Sequence, residues 1–210
     1  MQRAFGKGVP PLFKKLKYIF DQDKNKLKIV EELVLGYVDS LIKNKKFSSS
    51  NEETESPTSL LWVYYYLAQH FDYLNDTDKA LHYINAAIEY TPTLVELYMI
   101  KGKIYKHAGN YYEAVKWLDE AQSLDTADRF INYKCSKYML RANMIKEAQD
   151  IAAKFTREST QPADYLREMQ CMWFETECAN AYKRLAKYGE SLKKAHQVER
   201  VCIFYDINFT

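Results

Sequence analysis

LWVYYYLAQHFDYLNDTDKALHYINAAIEYTPTL, residues 61–94, decides the fold. With Leu61 at position 1 of a 34-residue frame, Leu67, Ala68 and Phe71 fall at positions 7, 8 and 11, and Ala80, Ala87 and Pro92 at 20, 27 and 32. One period on, Gly102, Tyr105, Ala114, Leu118 and Ala121 fall at 8, 11, 20, 24 and 27. A third period brings Ser136, Met139, Ala148 and Ala152 to 8, 11, 20 and 24. A fourth copy, displaced by an insertion around Gln161-Pro162-Ala163, places Ala179, Tyr182 and Ala195 at 8, 11 and 24. Small residues at 8 and 20 let two antiparallel helices approach closely, and large ones at 7, 11 and 24 fill the gaps between neighbouring pairs.

A period of this length with these positions is the tetratricopeptide (TPR) pattern. It predicts an all-α chain, a TPR-like superhelical solenoid of antiparallel helix pairs, because one pair cannot bury its own apolar face and stacking must supply the core. The pairs are expected near 60–74/77–90, 94–108/111–124, 128–141/144–157 and 164–186/188–204. Thr93 with Glu96 forms a capping-box pattern, Asn110 with Glu113 another after the Gly109 stop, and Asp125 or Thr126 is placed to open the following helix. Upstream, Pro10-Pro11 suits a helix start before LFKKLKYIF, and KLKIVEELVLGYVDSLIKN carries a helical apolar stripe. The expected organisation is a helical linker or divergent repeat over 1–46, a flexible acidic loop over 47–59 (FSSSNEETESPTS), about four helix pairs over 60–204 and a tail over 205–210.

Composition agrees. Of 210 residues 18 are Tyr, while Gly (6) and Pro (5) are scarce, which favours helix over strand. No apolar run reaches the roughly 18–20 residues that span a bilayer, and MQRAFGKGVPPLF lacks the apolar core of a signal peptide. Cys135, Cys171, Cys178 and Cys202 form no CxxC pair and read as reduced thiols of a cytoplasmic protein. The net charge of +2 conceals segregation: residues 1–47 hold 11 Lys/Arg against 5 Asp/Glu, 48–128 hold 5 against 13, 129–158 hold 7 against 3, and 183–200 hold 6 against 2. Such blocks set a local field of one sign, which matters to partners more than the total does.

Arg3-Ala4-Phe5-Gly6-Lys7-Gly8 has the spacing with which acetyltransferases cradle the coenzyme A pyrophosphate, but no strand precedes it and Pro10-Pro11 removes two donors. His70, His82, His107 and His196 sit at no metal-ligand spacing, and the Cys171/Cys178 pair has no second pair to complete a tetrahedral site. No nucleophile elbow or Walker loop is present, so no catalytic residue is assigned. Trp62, Tyr64, Tyr65, Tyr66, Phe71 and Tyr73 circle a whole helix in an acidic region, which fits core packing and not a nucleic-acid stacking platform. The basic block is more informative. Arg129, Lys134, Lys137 and Arg141 share one helix, Lys154 and Arg157 end the next, and Lys183, Arg184 and Lys187 end a third. Two readings fit: convergence on one anion, or a solvated face whose lysines complement helix C-termini.

Several stretches, IYKHAGN, LDTADRFIN, KFTRE and MQCMWF, with KGVPPLF and IVEELVLGY upstream, resemble the auxiliary, ribosome-anchoring subunits of the NatA N-terminal acetyltransferase complex. The resemblance runs to about residue 200 and is to a middle section of a family several times longer; VCIFYDINFT departs from its pattern. It implies a non-catalytic scaffold that wraps and positions a smaller catalytic subunit for co-translational N-terminal acetylation, with acetyl-CoA on that partner and the ribosome reached through the wider complex. It also implies an inositol hexakisphosphate at the junction of the two subunits. By residue, that role falls on Arg129 and Lys134 in DRFINYK, Lys137 just after it, and Lys154 and Arg157 in KFTRE. The alternative is a generic TPR adaptor of the co-chaperone kind; its carboxylate clamp needs Lys and Asn where this chain has Tyr65 and Gln69.

Overall fold

The computed structural model describes residues 1–48, 54–157 and 161–209, without the side chains of residues 21, 24 and 203–209. Among the described residues every regular element is a helix. The chain forms two compact units, Met1–Ala108 and Gly109–Thr210.

The first unit contains α1 (Gln2–Gly6), α2 (Leu12–Gln22), α3 (Lys24–Asn44), α4 (Thr58–Tyr73), α5 (Thr77–Tyr90) and α6 (Val95–His107). Pro11 is the N-cap of α2, where a missing N–H leaves nothing unpaired. Asp23 closes α2 and opens α3, its carboxylate accepting from the Asn25 N–H at 2.9 Å. The centre of the unit is α4, which packs on α1, α2, α3, α5 and α6. Surrounded in this way, it needs apolar side chains on nearly every face, and Leu61, Val63, Tyr65, Tyr66, Leu67, Ala68 and Phe71 are all buried. Tyr66 meets Phe5 and Phe13 edge-on at 5.7 and 5.6 Å between ring centroids.

Residues 1–46 therefore do not stand apart as a linker: α1, α2 and α3 pack on α4 or on one another. Phe47, placed in the flexible loop by its polar neighbours, is buried against Tyr37 at 5.2 Å and Phe5 at 6.2 Å. Residues 49–53 of that loop lie outside the described residues.

The second unit contains α7 (Tyr111–Leu124), α8 (Arg129–Arg141), α9 (Ile145–Ala153), α10 (Pro162–Glu168), α11 (Met172–Arg184) and α12 (Tyr188–Phe209). Its helices pack as α7 on α8, α8 on α9 and α11, and α11 on α12, with α10 bridging α9 and α11. The small residues of the frame are where the backbones meet: Ala80, Ala87, Ala114, Ala121 and Ala148 have no exposed surface at all. Asn75, Gly109 and Asn143 are left-handed (φ 60°, 82° and 65°) and 34 residues apart, each within a turn between helices. Asn tolerates this region better than other L-residues, and Gly adopts it freely.

Four expectations need correction. The single helix over 164–186 is two, α10 and α11. Gln170 is left-handed (φ 53°), and the Cys171 N–H closes the turn on the Leu166 carbonyl at 2.9 Å. The next left-handed turn, Ala186 (φ 58°), comes 43 residues after Asn143, the nine-residue displacement of the frame that the placement of Ala179, Tyr182 and Ala195 already carries. Helix α12 continues to Phe209, because VCIFYDINF contains no Gly or Pro to stop it. The capping assignments also move. Leu94 and not Thr93 is the N-cap of α6, without a side-chain bond, and Asp128 caps α8 by accepting from the Phe130 and Ile131 N–H groups at 2.6 and 3.4 Å. Asp125 instead holds the turn before it, accepting from Ala127 and Asp128. The Asn110 cap forms as read, with Glu113 N–H donating at 3.1 Å.

Candidate functional site

The basic block lies in the second unit, and the inward face of α8 explains its geometry. Ile131, Cys135, Met139 and Leu140 are buried, leaving Arg129, Phe130, Lys134 and Lys137 toward the other side or the helix edges. Asn132 anchors α8 to the end of α9, its Nδ2 donating to the Ile151 carbonyl at 2.7 Å. One turn earlier on α8, the Arg129 guanidinium stands 5.5 Å from the ring centre of Phe155. Lys154 and Arg157 flank that phenylalanine in sequence, so Arg129 is brought to the same corner as the residues that end α9. Arg157 in turn lies over Tyr165 of α10 at 5.8 Å. Each guanidinium is held by a ring face, which fixes it without neutralising it. Arg129, Lys154 and Arg157 have no carboxylate partner among the described residues, and all three are exposed.

Lys137 differs. Its ammonium donates to the Tyr133 hydroxyl at 3.3 Å and sits 3.6 Å from the Glu177 carboxylate of α11. Arg141 reaches the same oxygen of Glu177 at 3.2 Å, and Tyr133 stacks edge-on against Trp173 at 4.5 Å. This side of α8 is a packing seam with α11, in which one carboxylate serves two cations. Lys134 lies between the two regions, over the rings of Phe130 and Tyr133 at 5.3 and 5.4 Å, and Phe130 is 55% exposed. The five residues thus separate into a solvent-facing corner of Arg129, Lys154 and Arg157, an intermediate Lys134, and a Lys137 engaged with α11. The corner offers two forked guanidiniums and an ammonium, donors suited to an anion with several oxygens.

Glu177 was not legible beforehand, since no spacing rule pairs residues 36 apart in sequence. Nor was the role of Arg184, which donates to the Leu140 carbonyl at 2.7 Å and to Asn143 Oδ1 at 2.8 Å, satisfying the C-terminal end of α8.

Three other motifs find structural uses. In the Arg3–Gly8 run, Gly8 is left-handed (φ 62°), and a Cβ there would stand 2.5 Å from Trp62 Nε1. The glycine admits an indole, and α1 rather than a strand leads into it. Tyr65 and Gln69 are buried, and Gln69 Nε2 donates to the Tyr65 carbonyl at 3.2 Å, so neither can grip a peptide carboxylate. Burial pushes the thiols of Cys135 and Cys178 up to about 12, which keeps them protonated and unsuited to metal at neutral pH.

The family model described as "N-terminal acetyltransferase A, auxiliary subunit" matches residues 1–208. N-alpha-acetyltransferase 16, NatA auxiliary subunit, of Homo sapiens is 61% identical over 197 residues, which are 93% of this chain and 23% of that protein. The N-terminal acetyltransferase A complex auxiliary subunit NAA15 of Arabidopsis thaliana is 40% identical over 194 residues, 92% of this chain and 21% of that protein. The chain thus spans about a quarter of the length of these relatives. Among solved structures, one of Naa15/Naa10 bound to HypK-THB aligns with a TM-score of 0.85 and 33% identity, over 97% of this chain and 30% of that one. A kinesin-light-chain protein of TPR-like repeats from Podosopora anserina aligns with a TM-score of 0.61 at 15% identity, a likeness of fold alone.

Proposed function

This chain belongs to the family of auxiliary subunits of N-terminal acetyltransferase A, and on that premise we propose that it acts as a non-catalytic scaffold that binds and positions the complex's catalytic subunit for co-translational N-terminal acetylation. The observation that carries the reading is the agreement, over 97% of the chain, with a Naa15 chain whose structure includes Naa10. Packed helix hairpins hold side chains in fixed relative positions over a long surface. Such a surface contributes to catalysis by stabilising one conformation of a partner, without a reacting group of its own.

Within this reading the exposed corner of Arg129, Lys154 and Arg157, with Lys134 beside it, holds an inositol hexakisphosphate at the contact with the catalytic subunit, and Lys137 supports it from the α11 seam. The chain works in the cytoplasm, reaching the ribosome through the wider complex. A direct test mixes the purified chain with the purified catalytic subunit and follows co-elution in size-exclusion chromatography, with and without inositol hexakisphosphate. A shared peak sharpened by the polyphosphate is the expected result. Separate peaks under both conditions would overturn the contact for this segment. Sedimentation of the assembled complex with ribosomes, lost at high salt, tests the last step.

A further inference from the structure

Cations of the second unit are held in two different ways. Lys137 and Arg141 share the Glu177 carboxylate at 3.6 and 3.2 Å, a contact that fixes them and offsets their charge together. Arg129 and Arg157 stand instead over the rings of Phe155 and Tyr165, 5.5 and 5.8 Å from the ring centres. The rings are themselves anchored. The Phe155 N–H is bonded to the Ala152 carbonyl at 3.2 Å, and the next residue, Thr156, places both its N–H and its hydroxyl on the Ala153 carbonyl at 2.9 Å. Tyr165 lies within α10, its N–H on the Gln161 carbonyl at 3.0 Å. Two neighbouring carboxylates are engaged elsewhere: Asp128 caps α8, and Asp164 pairs with Arg167.

From this contrast we infer that Phe155 and Tyr165 are positioning residues for anion binding, each holding one guanidinium of the exposed corner ready for phosphate oxygens. The inference rests on the reading of that corner as a polyphosphate site. An exposed arginine is flexible, and an anion that binds it must freeze it. A ring face removes part of that freedom beforehand. It attracts the cation through its quadrupole and carries no negative charge with which to neutralise it. The N–H donors of the guanidinium therefore remain for an incoming anion. A carboxylate in place of the ring would restrain the arginine as well but would occupy those donors, as Glu177 does for Arg141 on the α11 seam. Phe155 has no polar side-chain atom, so it acts on an anion only through the arginine. Tyr165 also has a hydroxyl, and a variant that removes it separates the two contributions.

The test titrates inositol hexakisphosphate into the purified 210-residue chain by isothermal titration calorimetry. Phe155→Leu and Tyr165→Leu should each weaken binding roughly two- to fivefold, the size of one exposed cation–π contact. Phe155→Tyr and Tyr165→Phe keep a ring and should bind as the parent does. Circular dichroism checks that each variant keeps its helix content, and with two pairs tested separately, unfolding of one leaves the other to decide. The positioning role must vanish with the arginine it serves, which a general effect on folding does not. Phe155→Leu should thus weaken binding no further in an Arg129→Gln chain, nor Tyr165→Leu in an Arg157→Gln chain. Parent-like binding by both leucine variants overturns the inference and leaves the polyphosphate reading standing, and so does a loss that persists undiminished in the glutamine backgrounds. A loss in Tyr165→Phe equal to that in Tyr165→Leu assigns the hydroxyl and overturns the inference for that pair. No binding by the parent chain overturns the reading and the inference with it.

Discussion

Lys194 of α12 holds its ammonium 2.8 Å from a carboxylate oxygen of Glu175 on α11, and the two side chains are only 13% and 5% exposed. Neither oxygen of Glu175 has a hydrogen bond of sound geometry, so the attraction is Coulombic rather than directional. Removing one member of such a pair strands the other. Lys194→Met should lower the unfolding free energy by roughly 3–5 kcal/mol, and adding Glu175→Leu should restore most of the loss. Urea denaturation of both variants checks this. Equal stability of the single mutant and the parent would mean that water reaches Glu175.

Gly8 supplies a second prediction. Its left-handed conformation and the Trp62 indole both exclude a side chain. Gly8→Ala should destabilise the chain by at least about 1–2 kcal/mol from the backbone alone. Trp62→Ala in the same background should recover part of the difference, and thermal unfolding of the four combinations measures the coupling.

The thiols make the chain sensitive to alkali. Desolvation raises Cys135 and Cys178 from an ordinary value of 9.0 to about 12. A folded value above the unfolded one means that the contribution is complete below the ordinary value and is lost as pH climbs toward about 12. Tyr65, also raised to about 12 from 10.0 by burial, adds to the loss over the upper part of that window. Stability should therefore fall steeply above pH 9, and Cys135→Ala with Cys178→Ala should flatten the early part of the decline. At neutral pH a thiol reagent should modify exposed Cys202 readily and leave Cys135 and Cys178 untouched until the chain unfolds.

Affinity for inositol hexakisphosphate should divide the basic block. One charge-assisted hydrogen bond contributes about 1.5–3 kcal/mol, so Arg129→Glu, Lys154→Glu or Arg157→Glu should each weaken binding roughly tenfold or more. Helix content should change little, since all three residues are exposed. Lys137→Met should matter less for binding and more for folding, because its ammonium faces Glu177. Isothermal titration calorimetry with the polyphosphate decides; a larger effect at Lys137 than at the three corner residues would reject the assignment.

The repeat was legible because close helix packing leaves a compositional trace. Ala80, Ala87, Ala114, Ala121 and Ala148 are small where backbones meet, and all are buried. The helices of the frame followed to within a few residues. The break at Gln170 was not legible, since MQC contains neither Gly nor Pro and the left-handed residue there is set by tertiary packing. With the break, Phe174, Cys178 and Ala181 of α11 are all buried; an unbroken helix would carry the phase of α10 through them. At the basic block, residue types showed charge but not its neutralisation. Glu177 lies 36 positions from Arg141 and belongs to another helix pair, and only the fold brings them together.

The left-handed turns at Asn75, Gly109 and Asn143 have one more consequence. Within each unit the turns at Asn75 and Asn143 return the next helix to its sequence neighbour, α5 to α4 and α9 to α8, and most contacts join residues close along the chain. Low contact order of this kind speeds folding, because little loop entropy is lost before contacts form. It also means that a helix hairpin is largely complete once its second helix has been synthesised. The chain can thus acquire structure from its N-terminus at the pace of translation, hairpin by hairpin, without waiting for residues still to be made.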